Sequence, residues 1–243
     1  MLVIVLDIRE FGKKRGWRAR ERKIIYQELI EACEEFEGDE EAYNEAWVLA
    51  RKFVDWKNLD KLPLQEIENR VILFLNQWAC RLPKDRRLAR RLQDVYRQSV
   101  PFLEALNGEA IQDFDFDQKK KVEGNEHRNS EIMLKVFQNF YLTGHKFRDV
   151  AASKVLHMIN PHLFVMWDTS ICKAYGVKKS PSGYVYEFIP LMKKKANEAI
   201  DSYMEDKKCS REKAVKALNE FRPLKTLAKL LDEYNYIKYT RQL

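Results

Sequence analysis

The sequence predicts an all-α fold, and three of its features favour that class. Apolar residues recur every three or four positions over long stretches, which is the spacing of one helix face. Glycine and proline number only 8 and 7 in 243 residues, so the chain has few of the turns that a β-sandwich or barrel needs. Apolar residues make up 45% of the chain and charged residues 33%, which indicates a core beneath a highly charged surface.

The first half of the chain predicts four helices. Apolar residues at helical spacing place them over 21–36, 40–56, 64–80 and 84–98. Gly38 ends the first, and Pro63 and Pro83 stand at the two later breaks. The fourth helix has a densely basic face made of Arg86, Arg87, Arg90, Arg91 and Arg97. The charged tract 113–130 that follows is expected to be an irregular, exposed loop.

The second half predicts six further helices, over 130–142, 150–159, 168–175, 186–205, 210–218 and 224–236. Gly176 is placed to close the third of these. We expect a single α-helical unit of two lobes. Its parts would be N-terminal helices over 1–112, a central region over 130–176 that includes a helix-hairpin-helix-like element, and C-terminal helices over 177–243.

Charge and cysteine usage narrow the class of protein. The net charge of +7 favours a polyanionic partner, nucleic acid first, although a merely solvated basic surface explains it equally well. The four cysteines form no CxxC pair, so we expect reduced thiols, no metal site and a cytoplasmic protein. No apolar stretch reaches 18 residues, and therefore no membrane span is predicted.

The stretch HMINPHLFVMWDTSICKAYG, residues 157–176, contains the candidate functional carboxylate, Asp168. An apolar link leads to it and a helix begins after it, so its side chain can cap that helix by accepting from the N–H of Ser170 or Ile171. Capping alone would explain an aspartate here, but it would also fix a carboxylate for chemistry. On the preceding helix, Lys154 and His157 share the polar side, which is otherwise a solvated face.

The order of these elements carries a resemblance. A helix, the polar link TGHKFRD (143–149), a second helix, Pro161 and then Asp168 resemble the helix-hairpin-helix DNA glycosylase superfamily, which includes endonuclease III-like enzymes and 8-oxoguanine DNA glycosylases. The resemblance covers about residues 130–176. Gly144 matches the first glycine of the family's hairpin, whereas Lys146 stands at the second glycine position.

The resemblance implies a DNA repair enzyme that excises a damaged or mispaired base. Asp168 would be the essential carboxylate, and Lys154 or Lys146 would supply the amine for an abasic-site lyase step. The flipped base would lie against an aromatic face of Trp167, Phe164 or Trp78, each of which also suits a core position. The implied DNA contacts are Gly144, His145, Lys146, Arg148 and His157 around the hairpin and Arg87, Arg90 and Arg91 on the basic helix.

The expected partner is duplex DNA with a lesion, bound by a monomer that needs no cofactor, metal or membrane. Two other interpretations stay open at this point. One is a nucleic-acid-binding protein of the same fold without catalysis. The other is an all-α protein-interaction module in which Asp168 only caps a helix.

Overall fold

The computed structural model describes residues 19–141 and 148–241, and within them the fold is all-α with one small β-hairpin. The first half contains α1 (Tyr26–Asp39), α2 (Glu41–Phe53), a 3-10 turn (Trp56–Lys61), α3 (64–77) and α4 (Arg86–Ala105). The middle turn of α3, Ile67–Ile72, is a π-helix. The prediction of an all-α fold is thus confirmed, while the two-lobed arrangement stays a prediction.

The second half begins with strands β1 (Lys119–Val122) and β2 (Asn125–Arg128), followed by α5 (Asn129–Phe140), α6 (Asp149–Ile159) and α7 (Thr169–Tyr175). The chain then forms α8 (181–207), α9 (Arg211–Asn219) and α10 (227–240). The final turn of α10, Tyr236–Thr240, is again a π-helix. The helices expected on either side of the link 143–149 are present, although residues 142–147 lie outside the described range.

Two expectations for the middle of the chain are wrong. The tract 113–130 is not irregular, because β1 and β2 pair antiparallel with Lys119 opposite Arg128 and Val122 opposite Asn125. Phe114, just before the hairpin, is fully buried rather than exposed. The basic helix also runs on to Ala105 through Pro101, whose ring removes one backbone donor without ending the helix.

Helix α6 lies in the centre of the fold. Residues 151–159 are all buried, including Ser153, Lys154 and His157, so the polar side of this helix does not face solvent. Burial of a polar group is costly unless it finds a hydrogen-bonding partner. Each of these three side chains hydrogen-bonds to a backbone carbonyl.

Packing brings the C-terminal helix to the start of α7. Helix α10 packs on α1, and its last turn contacts α7. Helix α7 itself begins at the cap Asp168 and ends at Gly176, which adopts the left-handed conformation at φ 60° as predicted. Residues far apart in sequence, Asp168 and Thr240, therefore meet.

Candidate active site

The carboxylate of Asp168 is held at both oxygens. Its Oδ1 accepts from the backbone N–H of Ile171 at 2.8 Å, which confirms the predicted helix cap. Its Oδ2 accepts from the hydroxyl of Thr240 at 2.7 Å. The residue is half-buried. Two neutral donors therefore fix the orientation of the carboxylate without neutralising its charge.

Asp168 lines a cavity of about 610 Å³, and Lys154 lines the same cavity. The walls come from α1, α2, the loop after α3, the first turn of α6, the start of α7 and the last turns of α10. This volume lies within the ~300–1,000 Å³ typical of small-molecule sites. Asp168 and Lys154, which the sequence suggested as carboxylate and amine, thus line the same cavity.

The amine of Lys154 is already engaged. Its Nζ donates to the backbone carbonyl of Trp78 and lies 5.5 Å from the centre of the Trp78 ring, and the residue is only 9% exposed. The carbonyl belongs to a strained turn, because Ala79 and Arg81 both have positive φ, 59° and 52°. A charge-assisted hydrogen bond from Lys154 stabilises this turn at the cavity wall.

An aromatic cluster forms one wall of the cavity. The Trp78 ring packs edge-on against Tyr43 with ring centres 5.8 Å apart, and Phe36 packs edge-on against Tyr236 at 5.4 Å. Trp78 and Trp167 line the cavity, although both are almost fully buried, and their role as faces for a base stays a prediction. Tyr43 and Tyr236 are only partly buried. Sequence patterns assigned both to helices without indicating this role.

A second carboxylate–amine pair lies near the start of α7. Lys179 Nζ lies 3.6 Å from Asp149 Oδ2 and donates to the Thr169 hydroxyl at 2.7 Å. All three residues line the cavity. Burial raises the pKa of the Asp149 carboxyl, and the charge of Lys179 opposes that shift. Neither member of the pair belongs to a pattern that is recognisable in the sequence.

Beneath the aromatic wall, α10 contributes a buried ion network. Lys229 is fully buried, with Nζ 2.7 Å from Asp232 Oδ2 and 4.4 Å from the centre of the Trp78 ring. Glu233 pairs with Lys225 at 2.9 Å and with Lys229 at 3.4 Å. Burial raises the pKa of Asp232, and Lys229 opposes the shift. Asp232 also lines the cavity and places an acidic group in its wall.

The predicted DNA contacts lie in different parts of the chain, and the structure describes only some of them. Arg87, Arg90 and Arg91 are exposed on α4, and Arg148 is exposed at the cavity. The hairpin residues Gly144, His145 and Lys146 lie outside the described range, so their expected roles stay predictions.

The assignments of His157 as a DNA contact and of Phe164 as a face for the base are wrong, because both side chains are fully buried. His157 has no exposed surface, and its Nδ1–H donates to the Phe164 carbonyl at 2.7 Å. Burial lowers the pKa of His157 to about 3, so the ring is neutral at physiological pH and is not available to DNA. Phe164 is also fully buried and lines a different cavity, beside α4. It is therefore not a wall of the candidate site.

The described residues contain neither a metal-binding cluster nor a membrane-spanning helix. Between 19 and 141 and between 148 and 241, no three His, Cys, Asp or Glu side chains form a group able to hold a metal ion. No helix in these ranges is long and apolar enough to cross a membrane.

Comparisons with protein-family models, curated proteins and solved structures find no match to this chain. The geometry of the cavity is therefore the basis for assigning a function.

Proposed function

We propose that the protein is a DNA glycosylase that excises a damaged or mispaired base, with Asp168 as its essential carboxylate. The observation that carries the proposal is the cavity itself. Asp168 and Lys154 line it together with an aromatic wall. An extruded nucleobase needs a pocket with aromatic faces, and the sugar attached to it needs a carboxylate nearby.

The environment of Asp168 fits the chemistry of glycosidic bond cleavage. As that bond breaks, positive charge builds on the deoxyribose, and a fixed negative charge stabilises the transition state. The bonds from Ile171 and Thr240 orient the carboxylate. Because both donors are neutral, the negative charge remains available to the sugar.

The aromatic wall suits the flipped base, and the arginines near the cavity suit the phosphates on either side of it. Tyr43 and Tyr236 are partly buried and line the cavity, so they can stack on a flipped base. Arg81 and Arg148 are exposed at the cavity and provide positive charge for the flanking phosphates. The exposed arginines of α4 follow Arg81 closely in the sequence and add further positive charge to the surface.

Base release from defined duplexes tests the proposal. Duplexes carrying 8-oxoguanine, uracil, hypoxanthine or an alkylated base are incubated with the protein, and free base is measured. We expect release from at least one of them. Asp168→Asn should lower release by about 10²–10³-fold while leaving DNA affinity within about twofold, because it removes the charge and keeps the shape of the side chain.

The matched control is Asp55→Asn, since Asp55 also caps a helical turn but is exposed and lies outside this cavity. It should release base at the wild-type rate. No release from any duplex would overturn the proposal. Salt-dependent DNA binding without release would then favour a non-catalytic DNA-binding protein, an alternative that the engagement of the Lys154 amine also supports.

A further inference from the structure

Lys179 is the more accessible of the two amines in the cavity. Its side chain is 38% exposed, whereas Lys154 as a whole residue is 9% exposed. Lys179 Nζ is bonded to the hydroxyl of Thr169, the residue that follows Asp168. An amine at this position lies next to the start of α7, where the candidate carboxylate is fixed.

The two amines also differ in what can take their proton. A lysine attacks a carbon only as the neutral amine, so its ammonium must first lose a proton to a nearby base. Lys154 Nζ is bonded to a backbone carbonyl, which is not a base. Lys179 Nζ lies 3.6 Å from the carboxylate of Asp149, whose side chain is only 6% exposed. Burial raises the pKa of Asp149, which makes it a better proton acceptor.

We infer that Lys179, rather than Lys154, is the nucleophilic amine of a strand-cleaving step at this cavity, with Asp149 as the base that activates it. The inference rests on the proposed function, because an abasic site is the product of base excision. Lys179 lies 25 positions after Lys154 in the sequence, beyond the ends of both α6 and α7.

The step balances without an oxidant or a reductant. Asp149 takes a proton from the Lys179 ammonium, and the neutral amine adds to C1′ of the open-chain abasic deoxyribose. Asp149 then returns that proton to the C1′ hydroxyl, which leaves as water and gives a protonated imine. A proton leaves C2′ for a base, the C2′–C3′ double bond forms, and the C3′–O bond breaks to release the phosphate-terminated strand. Water then hydrolyses the protonated imine to the aldehyde and the Lys179 ammonium, so that Lys179 and Asp149 are both charged again as at the start.

Borohydride trapping identifies the attacking lysine. The full chain is incubated with a duplex that contains one abasic site, in the presence of sodium borohydride, which reduces the imine to a stable secondary amine. After proteolysis, the modified lysine is located by mass spectrometry. We expect the adduct on Lys179, and we expect Lys179→Arg, which keeps the positive charge, to form it at least tenfold more slowly.

Two variants serve as controls. Lys178→Arg changes the exposed neighbouring lysine and should trap DNA at the wild-type rate. Asp149→Asn should slow trapping at least tenfold at neutral pH, and raising the pH should recover much of the rate because hydroxide then deprotonates the amine. A purely structural loss would not recover in this way.

Each remaining outcome overturns the inference. An adduct on Lys154 or Lys146, adducts scattered over surface lysines, or no adduct at all would exclude Lys179 as the nucleophile. Failure here is distinct from failure of the proposed function. Base release without trapping leaves the glycosylase proposal intact and overturns only the lyase step, whereas trapping at Lys179 without base release does the reverse.

Discussion

Asp168 at the cavity and the acidic residues of the ion network beneath it carry the same kind of charged group but have opposite kinds of partner. In the network, Lys225 and Lys229 pair with Glu233, and Lys229 also pairs with Asp232, so each buried charge has an opposite charge within 3.4 Å. At the cavity, Asp168 accepts only from neutral donors, and none of the ion pairs within residues 19–141 and 148–241 includes it.

The difference separates a structural role from a functional one. Burying a charge costs several kcal/mol, and a close partner offsets that cost, so the network holds α10 against the aromatic wall. A carboxylate that is oriented but not neutralised gives little to stability. Its charge is available to a ligand. Mutations in the network should therefore change the free energy of unfolding, whereas mutation of Asp168 should change activity.

The largest effect on stability should come from Lys229→Met. The substitution keeps the volume of the side chain but leaves Asp232 buried without its partner. We expect a loss of about 3–5 kcal/mol in the free energy of unfolding, as for other broken buried pairs. Urea denaturation measures it.

The matched control is Lys119→Met, because Lys119 and Glu126 form an ion pair in which both side chains are well exposed. It should cost less than about 1 kcal/mol. A Lys229→Met variant within that same margin would show that the network does not stabilise the fold.

The largest effect on activity should come from Asp168→Ser. Serine caps a helix about as well as aspartate, so the free energy of unfolding should change by less than about 1 kcal/mol. The negative charge is lost, and base release should fall by about 10²–10³-fold, the range seen when one stabilising group is removed from a transition state. A variant that keeps its activity would mean that Asp168 only caps α7.

The sequence predicted the local part of this site and missed the part that depends on packing. The cap from Asp168 to Ile171 and the end of α7 at Gly176 follow from short-range chemistry, and the structure confirms both. Thr240 lies 72 residues away, and its contact with Asp168 exists only because α10 packs on α1 and α7. No periodicity within one helix encodes such a contact.

The positions of charged residues in the fold are difficult to predict from the sequence for a related reason. Lys229 and Asp232 lie within the helix predicted over 224–236, and the structure shows that both are buried, where each compensates the charge of the other. The hairpin over 119–128 was hidden by its lysines, which are depleted in strands in general. Propensity and polarity describe single residues, whereas these features depend on pairs.

His157 is buried without an oppositely charged partner, and the pH dependence of the free energy of unfolding tests the effect of that burial. Its pKa is about 3 in the folded protein, below the ordinary value of 6.5, because the ring is fully buried. The unfolded chain therefore binds more protons between these two pH values. The contribution of His157 to stability is fully present above pH 6.5 and falls by about 1.4 kcal/mol per pH unit below it.

Urea denaturation between pH 5.5 and pH 4.5, which lies well between the two pKa values, measures this slope, and His157→Gln should reduce it by about 1.4 kcal/mol per pH unit. Glutamine can still donate to the Phe164 carbonyl but does not titrate, so the comparison isolates the proton. Equal slopes for the two proteins would mean that His157 is protonated in the folded state.

The smallest effect should come from the residue that joins the two regions, Thr240, which lies on the same helix as the network and donates to Asp168. Thr240→Val removes the donor and keeps the shape, so the carboxylate loses one of its two fixed contacts. We expect single-turnover base release to slow about tenfold, or about 1.4 kcal/mol, with DNA affinity unchanged. Thr240→Ser keeps the hydroxyl and should retain most of the rate. A valine variant that is as fast as the wild type would show that the hydrogen bond from Thr240 does not matter, and a serine variant as slow as the valine one would show that the threonine methyl group matters as well.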